Sequence, residues 1–345
     1  MVIQLFEINK TMVGGVVQQF NSEHRRRSVQ RYIAILCAFA VTIVITSPSL
    51  KFQPISIPSQ GISSTTSCAE VSQTDSKPIA NSISRGFRPV YVYSKANPPN
   101  ANQYSQSKQD VLVIALTKAN DEIISSVQSV LNSTAAVTRK PFFVDLAAND
   151  AVLLSNTLLL EKNGWEGVCI EPNPRYWYNL ASYRTCTIVG AFLGGTPDED
   201  GKEVDVKLSN GVYGGIVGEG MDNTGGGEEK RNLVSITTVF KETDVPKVID
   251  YLSLDVEGAE LLVMQNFPWE KYRFRWMTIE RPKDALVDLL QSHGYKKVMT
   301  IAKFGEILFY HTEEVALSEE VIKLVAAKFD IKDYLGKWEL PPSFT

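Results

Sequence analysis

The chain has 345 residues, of which 44% are hydrophobic and 21% are charged. It is therefore globular, and it is long enough to bury the core of a full α/β domain and to carry additional segments. The formal net charge is −4. Because a surface that binds phosphate backbones is usually rich in Lys and Arg, we expect no nucleic-acid partner.

An uncharged stretch near the N-terminus predicts a transmembrane helix. Residues 32–50 carry no charge, and roughly 19 such residues are enough to cross a bilayer. Four arginines precede this stretch within residues 25–31, whereas only Lys51 follows it closely. The positive-inside rule therefore predicts a single-pass type II signal anchor with a cytosolic tail at residues 1–31. A cleaved signal peptide, an organelle transit segment and a buried helix are the alternatives.

The segments after the anchor predict a stem and a domain on the lumenal side of the membrane. The short apolar run suits the thinner bilayers of the early secretory pathway, which indicates the endoplasmic reticulum or the Golgi. Residues 51–108 are rich in Ser, Pro, Gln, Asn and Thr, a composition typical of a disordered stem. Residues 109–345 form the domain. Within it, residues 132–134 (Asn-Ser-Thr) are a glycosylation sequon, which has meaning only in the lumen.

The four cysteines are too few for a disulfide scaffold. Cys37 lies in the predicted anchor, which leaves Cys68, Cys169 and Cys186. Cys169 and Cys186 fall in or beside predicted strands, so we interpret them as buried small hydrophobic side chains rather than as a bridge or a nucleophile. Cys and His show no paired spacing of metal ligands, so no metal site is predicted.

The domain is organised around a strand, turn, helix, strand unit. The apolar run 142–144 predicts a buried strand that ends at Asp145 and small residues, and a helix-length segment then extends to Gly164. A second apolar strand, residues 167–170, ends at Glu171. In open α/β sheets ligands bind beyond the carboxyl ends of the strands, where an acid after the second strand can hold two ribose hydroxyls. The unit therefore predicts an adenosine-type cofactor.

The rest of the domain continues to alternate between helix and strand. Residues 111–116 are apolar throughout and fit either element, and residues 123–131 have helical spacing. One further predicted helix follows Glu171 and extends to about residue 183, and the others cover 239–248, 259–266, 282–293 and 318–329, the last with Ser318 as its cap. The further predicted strands cover 187–192, 249–254, 275–280, 295–301 and 306–310, and the last two form a hairpin.

Residues 194–227 form a loop-rich insertion between these elements. It contains a predicted hairpin arm at 203–208 and a glycine-rich stretch at 211–227. A phosphate cradle needs a loop that leads directly into a helix with a lysine, and that arrangement is missing. The stretch is either a mobile loop that faces the substrate or a plain surface loop.

Four acids follow four predicted strands, and we expect them to converge at one edge of the sheet. They are Asp145, Glu171, Asp255 and Glu280. The alternative for any single acid is that it caps the next helix. A ligand site explains the four together better than four separate caps do.

Three segments, taken in order, resemble the FkbM-type methyltransferase family. They are residues 143–151 (FVDLAANDA), 164–174 (GWEGVCIEPNP) and 250–260 (DYLSLDVEGAE). The resemblance covers about residues 141–310 and implies a class I fold, which is a Rossmann-like, seven-stranded, mostly parallel sheet with flanking helices. It also implies S-adenosylmethionine-dependent O-methylation of a hydroxyl, often on a sugar. The expected acceptor is therefore a small molecule or a glycan.

By this resemblance Asp145, Ala147 and Asn149 belong to the cofactor loop, and Glu171 holds the ribose hydroxyls. The family's loop usually has glycine at the positions of Ala147 and Ala151. Glycine serves where the backbone has a positive φ or approaches a ligand closely, so each alanine adds a methyl group at a tight site. If φ is negative at these positions, the alanines stabilise the loop instead.

The resemblance also places Asp255 and Glu257 beside the methyl group and the substrate, and it includes Asp255 among the cofactor-binding residues. Methyl transfer still needs a base for the hydroxyl proton. The three histidines lie in the predicted cytosolic tail, at a helix end and after the last strand, and we interpret them as structural. A carboxylate is the better candidate, with Asp255 or Glu257 first and Glu280 second. The same acids could hold a divalent cation, and the sequence does not separate these roles.

Two other functions remain as alternatives. One is a non-catalytic lumenal interaction or trafficking protein that keeps the methyltransferase fold, which the two loop alanines favour and the three acids Glu171, Asp255 and Glu257 oppose. The other is a nicotinamide-dependent oxidoreductase, since an acid after the second strand suits any ribose. The sequence lacks the G-x-G-x-x-G turn that is typical of such enzymes, so this alternative ranks last.

Overall fold

The computed structural model describes residues 96–98, 103–130, 139–209, 211–218, 221–223 and 226–334. The predicted cytosolic tail, the membrane anchor, most of the stem and the sequon at Asn132 lie outside these residues. Among the residues that are described, no helix combines the length and the apolar character needed to span a bilayer.

The described residues form an alternating series of strands and helices. The strands are β1 (Phe142–Leu146), β2 (Glu166–Ile170), β3 (Thr187–Val189), β4 (Phe192–Leu193), β5 (Glu203–Lys207), β6 (Gly215–Ile216), β7 (Glu229–Val234), β8 (Val248–Leu254), β9 (Arg273–Glu280), β10 (Tyr295–Thr300) and β11 (Glu306–His311). The α-helices are α1 (Gln109–Val130), α2 (Leu158–Lys162), α3 (Pro174–Tyr183), α4 (Ile236–Glu242), α5 (Glu260–Met264), α6 (Asp284–Ser292) and α7 (Glu319–Lys328).

Seven strands form the main sheet in the order β10-β11-β9-β8-β1-β2-β3. Strands β3, β2, β1, β8 and β9 are parallel neighbours, whereas β11 is antiparallel to both β9 and β10. The predicted seven-stranded, mostly parallel sheet and the closing hairpin are therefore confirmed. The strand order reverses between β1 and β8, and the crevice outside such a reversal is where open α/β sheets bind ligands.

Helices cover both faces of this sheet, which explains why its strands read as continuous apolar runs. On β1, Val144 and Leu146 pack in one core together with helices α4, α5 and α6. Phe143 belongs to a second core on the opposite face, where α1, α2, α3 and α7 pack. The two cores hold the carboxyl ends of the central strands in fixed positions.

The segment after β1 is a loop, not the helix-length element that the sequence predicts. Only residues 158–162 are helical, and Ala147, Asn149 and Leu154 have positive φ, which a right-handed helix does not allow. The Asp150 side chain accepts backbone hydrogen bonds from Val152 and Leu153 at 2.9 and 2.8 Å. This local side-chain pairing competes with helix formation and holds an irregular loop above the sheet edge.

The predicted strand 187–192 is divided between two sheets. Its first part is β3 of the main sheet, and its last residue begins β4. Gly190 separates them, and a Cβ at this position would lie 2.5 Å from the Trp177 ring, so the close approach of that ring needs a glycine. Strand β4 joins a second sheet of order β4-β7-β5-β6. The predicted arm at 203–208 is therefore part of a four-stranded sheet rather than a lone hairpin.

Three helices show how well local patterns place helix ends. The apolar run 111–116 is helical, because it is part of α1, with Leu112 and Leu116 fully buried. Helix α4 begins three residues before the predicted start at residue 239, because Ser235 caps it by accepting a hydrogen bond from the Thr238 amide. The predicted Ser318 cap of α7 is confirmed, since its side chain accepts from the Val321 amide.

Cys169 and Cys186 form a disulfide, so interpreting them only as buried hydrophobic side chains was wrong. Cys169 lies on β2, and Cys186 lies just before the neighbouring parallel strand β3. Parallel pairing brings their Cα atoms to 6.3 Å, within the range that a bridge requires. The sequence does not reveal this proximity because it depends on which strand pairs with β2.

Candidate functional site

A cleft opens at the edge of the main sheet where strands β1, β2 and β8 end. The space between the protein atoms there is about 670 Å³ when the solvent at its open mouth is included. It is bounded by the loop after β1, the turn after β2, the segment after β8 and a glycine-rich segment of the second sheet. The predicted edge is therefore concave.

Glu171 is held firmly on the wall of this cleft. It is 3% exposed, and its two carboxylate oxygens accept backbone hydrogen bonds from Asn173 at 2.7 Å and from Asn149 at 2.6 Å. The Trp177 indole donates to the Glu171 carbonyl at 2.7 Å. Burial raises the pKa of Glu171 to about 7, although the two backbone donors act in the opposite direction. A carboxylate oxygen has two lone pairs, so each oxygen can accept a further hydrogen bond from a ligand hydroxyl.

The loop after β1 has the positive backbone angles that the family's glycines suggest. φ is +60° at Ala147 and +55° at Asn149, whereas Ala151 is not among the described residues with positive φ. The amides of Ala147 and Ala148 both donate to the Ile170 carbonyl, at 2.9 and 3.2 Å. Ala147 therefore occupies a left-handed conformation that disfavours a Cβ, and the stabilising reading for alanine fails there.

Asn149 lines the cleft and has an unused hydrogen-bond acceptor. Its side-chain oxygen is buried and has no hydrogen-bond partner among the described residues. A buried polar atom of this kind destabilises the fold by about 1–3 kcal/mol unless a partner binds. Since Asn149 and Glu171 line the same cleft, the residues present fit a polar ligand with several hydrogen-bond donors, as an adenosine-type cofactor has.

Asp145 lies beneath this loop and does not line the cleft. It is 2% exposed, and its carboxylate accepts a hydrogen bond from the Thr157 hydroxyl at 2.6 Å. The buried Arg184 guanidinium also donates to Thr157, at 2.7 Å. Burial raises the pKa of Asp145, and the positive charge of Arg184 partly opposes this. The structure therefore gives Asp145 a role in fixing the loop from inside the fold.

The acids after β8 and β9 meet on the far side of the cleft. Carboxylate oxygens of Asp255, Glu257 and Glu280 all lie within 4.8 Å of one another, and Asp255 and Glu257 line the cleft. Burial and the neighbouring Glu280 raise the pKa of Asp255 well above its usual range. Burial, followed by Glu280, raises the pKa of Glu257 to about 8. Three of the four predicted acids thus reach this edge, together with Glu257.

Arg281 and Asp222 belong to this acidic group, and the sequence analysis did not identify either. The Arg281 guanidinium lies 3.0 Å from Glu280, 3.5 Å from Glu257 and 3.4 Å from Asp222. The signal for Arg281 was its place immediately after Glu280 at a strand end. Asp222 carried no signal, because it lies in a loop of the insertion.

Glu306 is a further buried acid next to this group, and the sequence analysis did not identify it. It is 4% exposed and pairs directly with Glu280 in the antiparallel register of β11 and β9. Burial raises its pKa to about 8, although a hydrogen bond with Thr278 opposes this. Thr278 in turn bonds to the Tyr251 hydroxyl at 2.7 Å.

Part of the glycine-rich segment lines the cleft. Gly211, Gly214 and Gly215 form part of the wall. A Cβ at Gly214 would lie 2.8 Å from the Lys207 carbonyl oxygen, so this close backbone approach needs glycine. The Asp222 amide donates to the Glu257 carbonyl at 3.1 Å, which joins the segment to the acidic group.

His293 and His311 lie away from this cleft. His293 ends α6 and stacks on Trp269 with ring centroids 4.6 Å apart. His311 ends β11 and is 5% exposed. Both line a second cavity at the opposite edge of the sheet, near the start of β9.

The fold is a seven-stranded, mostly parallel sheet with flanking helices and a cleft at the switch point, which is the arrangement that the resemblance to methyltransferases implies. Residues 145–297 match the family model described as "Methyltransferase FkbM domain". The resemblance found in the sequence is therefore confirmed, and this segment is a methyltransferase FkbM domain.

Comparison with solved structures finds a precorrin-6y C5,15-methyltransferase from Geobacter metallireducens GS-15. It is 11% identical, and the alignment covers 61% of this chain and 93% of that one with a TM-score of 0.31. At so low a score, the fold assignment rests on the order and register of the sheet itself. No curated protein matches the chain.

Proposed function

We propose that this protein is an S-adenosylmethionine-dependent O-methyltransferase that acts on a hydroxyl of a sugar or glycan. One observation carries the proposal. The same cleft holds a fixed ribose-type acid, Glu171, with the unused Asn149 acceptor on one side and the carboxylates of Asp255 and Glu257 on the other. The candidate cofactor-binding residues and the candidate base therefore line the same cleft.

The cofactor would be held by residues from the first two strand ends. Glu171 would accept hydrogen bonds from the ribose hydroxyls, and Asn149 would accept one more from the bound group. Apolar side chains, including Ile170 and Val263, would line its adenosine portion. When bound, the cofactor supplies an activated methyl group, and the protein's main contribution is to hold the acceptor oxygen in line with it.

The acceptor hydroxyl must lose its proton as its oxygen forms the new bond to carbon. Asp255 or Glu257 would take this proton, since both line the cleft and both have pKa values raised by burial. A carboxylate with a pKa near 8 is a stronger base than an ordinary glutamate, and about half of it is ionised at pH 8. Glu280 would act through these two residues, because it does not line the cleft.

A location in the lumen of the endoplasmic reticulum or Golgi, behind a type II anchor, is part of the proposal. The Cys169–Cys186 disulfide supports it, because such bonds persist in oxidising compartments and are rare in the cytosol. A lumenal domain would meet glycans as they are assembled. Endoglycosidase treatment of the expressed protein would test this, since modification of Asn132 requires lumenal exposure.

Calorimetric titration of S-adenosylmethionine and S-adenosylhomocysteine into the full chain in mild detergent tests the central claim. Micromolar binding that Glu171→Ala abolishes would support the proposal. The matched control is Glu166→Ala, which removes an exposed glutamate from the start of the same strand. Absence of binding at millimolar ligand by folded protein would instead favour a non-catalytic interaction module, in which Ala147 has closed the cofactor loop.

Transfer of labelled methyl groups to a panel of glycans tests the reaction itself. Asp255→Asn and Glu257→Gln keep the shape of each side chain and remove its basicity. If one of them is the base, its variant should lose about 10²–10⁴-fold in turnover while S-adenosylhomocysteine affinity changes little. Equal turnover by both variants and the wild-type protein would exclude these carboxylates as the base.

A further inference from the structure

The acidic group beside the cleft has more negative charge than its surroundings neutralise. Four carboxyl groups lie together here: those of Asp222, Glu257 and Glu280 contact the Arg281 guanidinium, and a carboxylate oxygen of Asp255 lies within 4.8 Å of oxygens of Glu257 and Glu280. Burial makes an uncompensated charge costly, so such a group is normally paired, protonated or bound to a metal. Arg281 contacts three of these acids and leaves the fourth to be explained.

That fourth acid is Asp255. Its Oδ1 atom is inaccessible to water, and no donor lies within hydrogen-bond reach of it among the residues that the structure describes. One carboxylate oxygen of Asp255 also lies within 4.8 Å of carboxylate oxygens of Glu257 and Glu280. Asp255 therefore combines an unpartnered buried oxygen with two neighbouring carboxyl groups.

We propose that Asp255, Glu257 and Glu280 bind one hard divalent cation of the Mg²⁺ or Mn²⁺ type. Each residue offers one carboxylate oxygen, and the three oxygens lie within 4.8 Å of one another, as ligands of a common ion must. Oxygen ligands without Cys or His suit such ions. Three protein ligands leave further coordination positions for water or substrate, as is usual for Mg²⁺.

The fold holds these ligands on separate rigid supports. Asp255 follows β8, and Glu280 is the last residue of the neighbouring parallel strand β9. Glu257 lies in a tight turn, with φ of +52°, followed by Gly258 at +92°. A Cβ at Gly258 would lie 2.6 Å from the Asp222 amide nitrogen, so glycine is needed for this packing. The turn therefore returns the Glu257 carboxylate towards the two strand ends.

The role of the cation in catalysis rests on the proposed function, whereas its binding does not. Asp255 and Glu257 line the cleft, so the open positions of the ion would face the space assigned to the acceptor. A hydroxyl on such an ion loses its proton more readily, because the ion stabilises the alkoxide. The acceptor would therefore be a hydroxyl compound that can also bind the ion.

Electron paramagnetic resonance of Mn²⁺ titrated into the full chain, after metal is removed with EDTA, tests the proposal directly. We expect one Mn²⁺ per chain, displaced by Mg²⁺. Asp255→Asn and Glu280→Gln should each weaken binding by about 100-fold or more, since even outer-shell changes cost 10–100-fold. Glu166→Gln is the matched control, because it removes an exposed carboxylate at the opposite end of β2 from the cleft, and it should leave the affinity unchanged.

Absence of a stoichiometric Mn²⁺ site, or a site that survives Asp255→Asn unchanged, would overturn the proposal. Far-ultraviolet circular dichroism of each variant distinguishes lost ligands from lost folding, and the two independent variants guard against failure of either one. S-adenosylhomocysteine titration separates the two proposals. Mn²⁺ binding without cofactor binding would refute the proposed function alone, and the reverse result would refute only the cation site.

Discussion

The backbone amide of Asn149 donates to the Glu171 carboxylate at 2.6 Å, which ties the loop after β1 to the acid after β2. The same residue has φ of +55°, so the hydrogen bond exists only because the loop enters the left-handed region. This contact fixes the proposed ribose acid to a loop residue that itself lines the cleft.

Asn149→Gly separates these two contributions. Glycine keeps the backbone donor and accepts a positive φ, so the Glu171 contact and the fold should be retained. The variant loses the unpartnered side-chain oxygen, and cofactor affinity should fall by about 5–10-fold, the value of one hydrogen bond of about 1 kcal/mol. Isothermal titration with S-adenosylhomocysteine measures this. Unchanged affinity would show that the amide does not contact the ligand.

Exchange of the two loop alanines for glycine should have opposite effects on stability. Ala147→Gly relieves a left-handed alanine, which costs about 1–2 kcal/mol, and loses less than that through the greater freedom of the unfolded chain. We expect a net gain of about 0.5 kcal/mol. Ala151→Gly has no such strain to relieve and should destabilise by about 1 kcal/mol.

Urea unfolding of the two single variants measures the difference, and each serves as the control for the other. A loss of stability in both would mean that the Ala147 backbone is not strained in solution. If Ala147→Gly also tightens cofactor binding, the alanine limits the loop's approach to the ligand. Unchanged affinity would place the effect on folding alone.

Reduction of the Cys169–Cys186 bond should destabilise the domain by about 3 kcal/mol, because the bond closes a loop with a sequence separation of 17 residues. Thermal unfolding with and without dithiothreitol measures this loss. A double variant, Cys169→Ala with Cys186→Ala, should be insensitive to the reductant. Equal sensitivity in the double variant would assign the effect to another cysteine.

Stability should fall as the pH rises from about 5 to about 8. Burial raises the pKa of Glu306 from 4.5 to about 8, so the folded state binds its proton more tightly than the unfolded chain does. Its contribution is fully present below about pH 4.5 and is lost as the pH rises through 8. Each such group contributes a slope of roughly 1.4 kcal/mol per pH unit within this window.

Glu306→Gln removes the titrating group and keeps a polar side chain beside Thr278. The variant should match the wild-type protein near pH 5 and exceed its stability near pH 8.5, as measured by urea midpoints at both values. Glu166→Gln, which changes an exposed glutamate, should leave the pH profile unaltered. Parallel profiles for Glu306→Gln and the wild-type protein would mean that Glu306 ionises normally in the fold.

The main strands, the closing hairpin and the family could be predicted from the sequence alone. The runs 142–144 and 167–170 are apolar because both faces of their strands are covered, and this pattern can be recognised in the sequence alone. Local rules also identified Glu171, because an acid directly after the second strand of such a unit lies at the carboxyl edge of the sheet. These features depend on residues close together in the chain.

Only the tertiary structure decided the features that depend on which strands are neighbours. Glu306 meets Glu280 because β11 returns antiparallel to β9, and Cys186 meets Cys169 because β3 lies beside β2. Asp145 lies inside the fold because alternate strand residues face opposite sides of a sheet. Side-chain periodicity predicts which face of a strand a residue occupies, but it does not predict which residues of the neighbouring strand lie beside it. The candidate site is formed by residues that are distant in the sequence and adjacent only in the folded sheet.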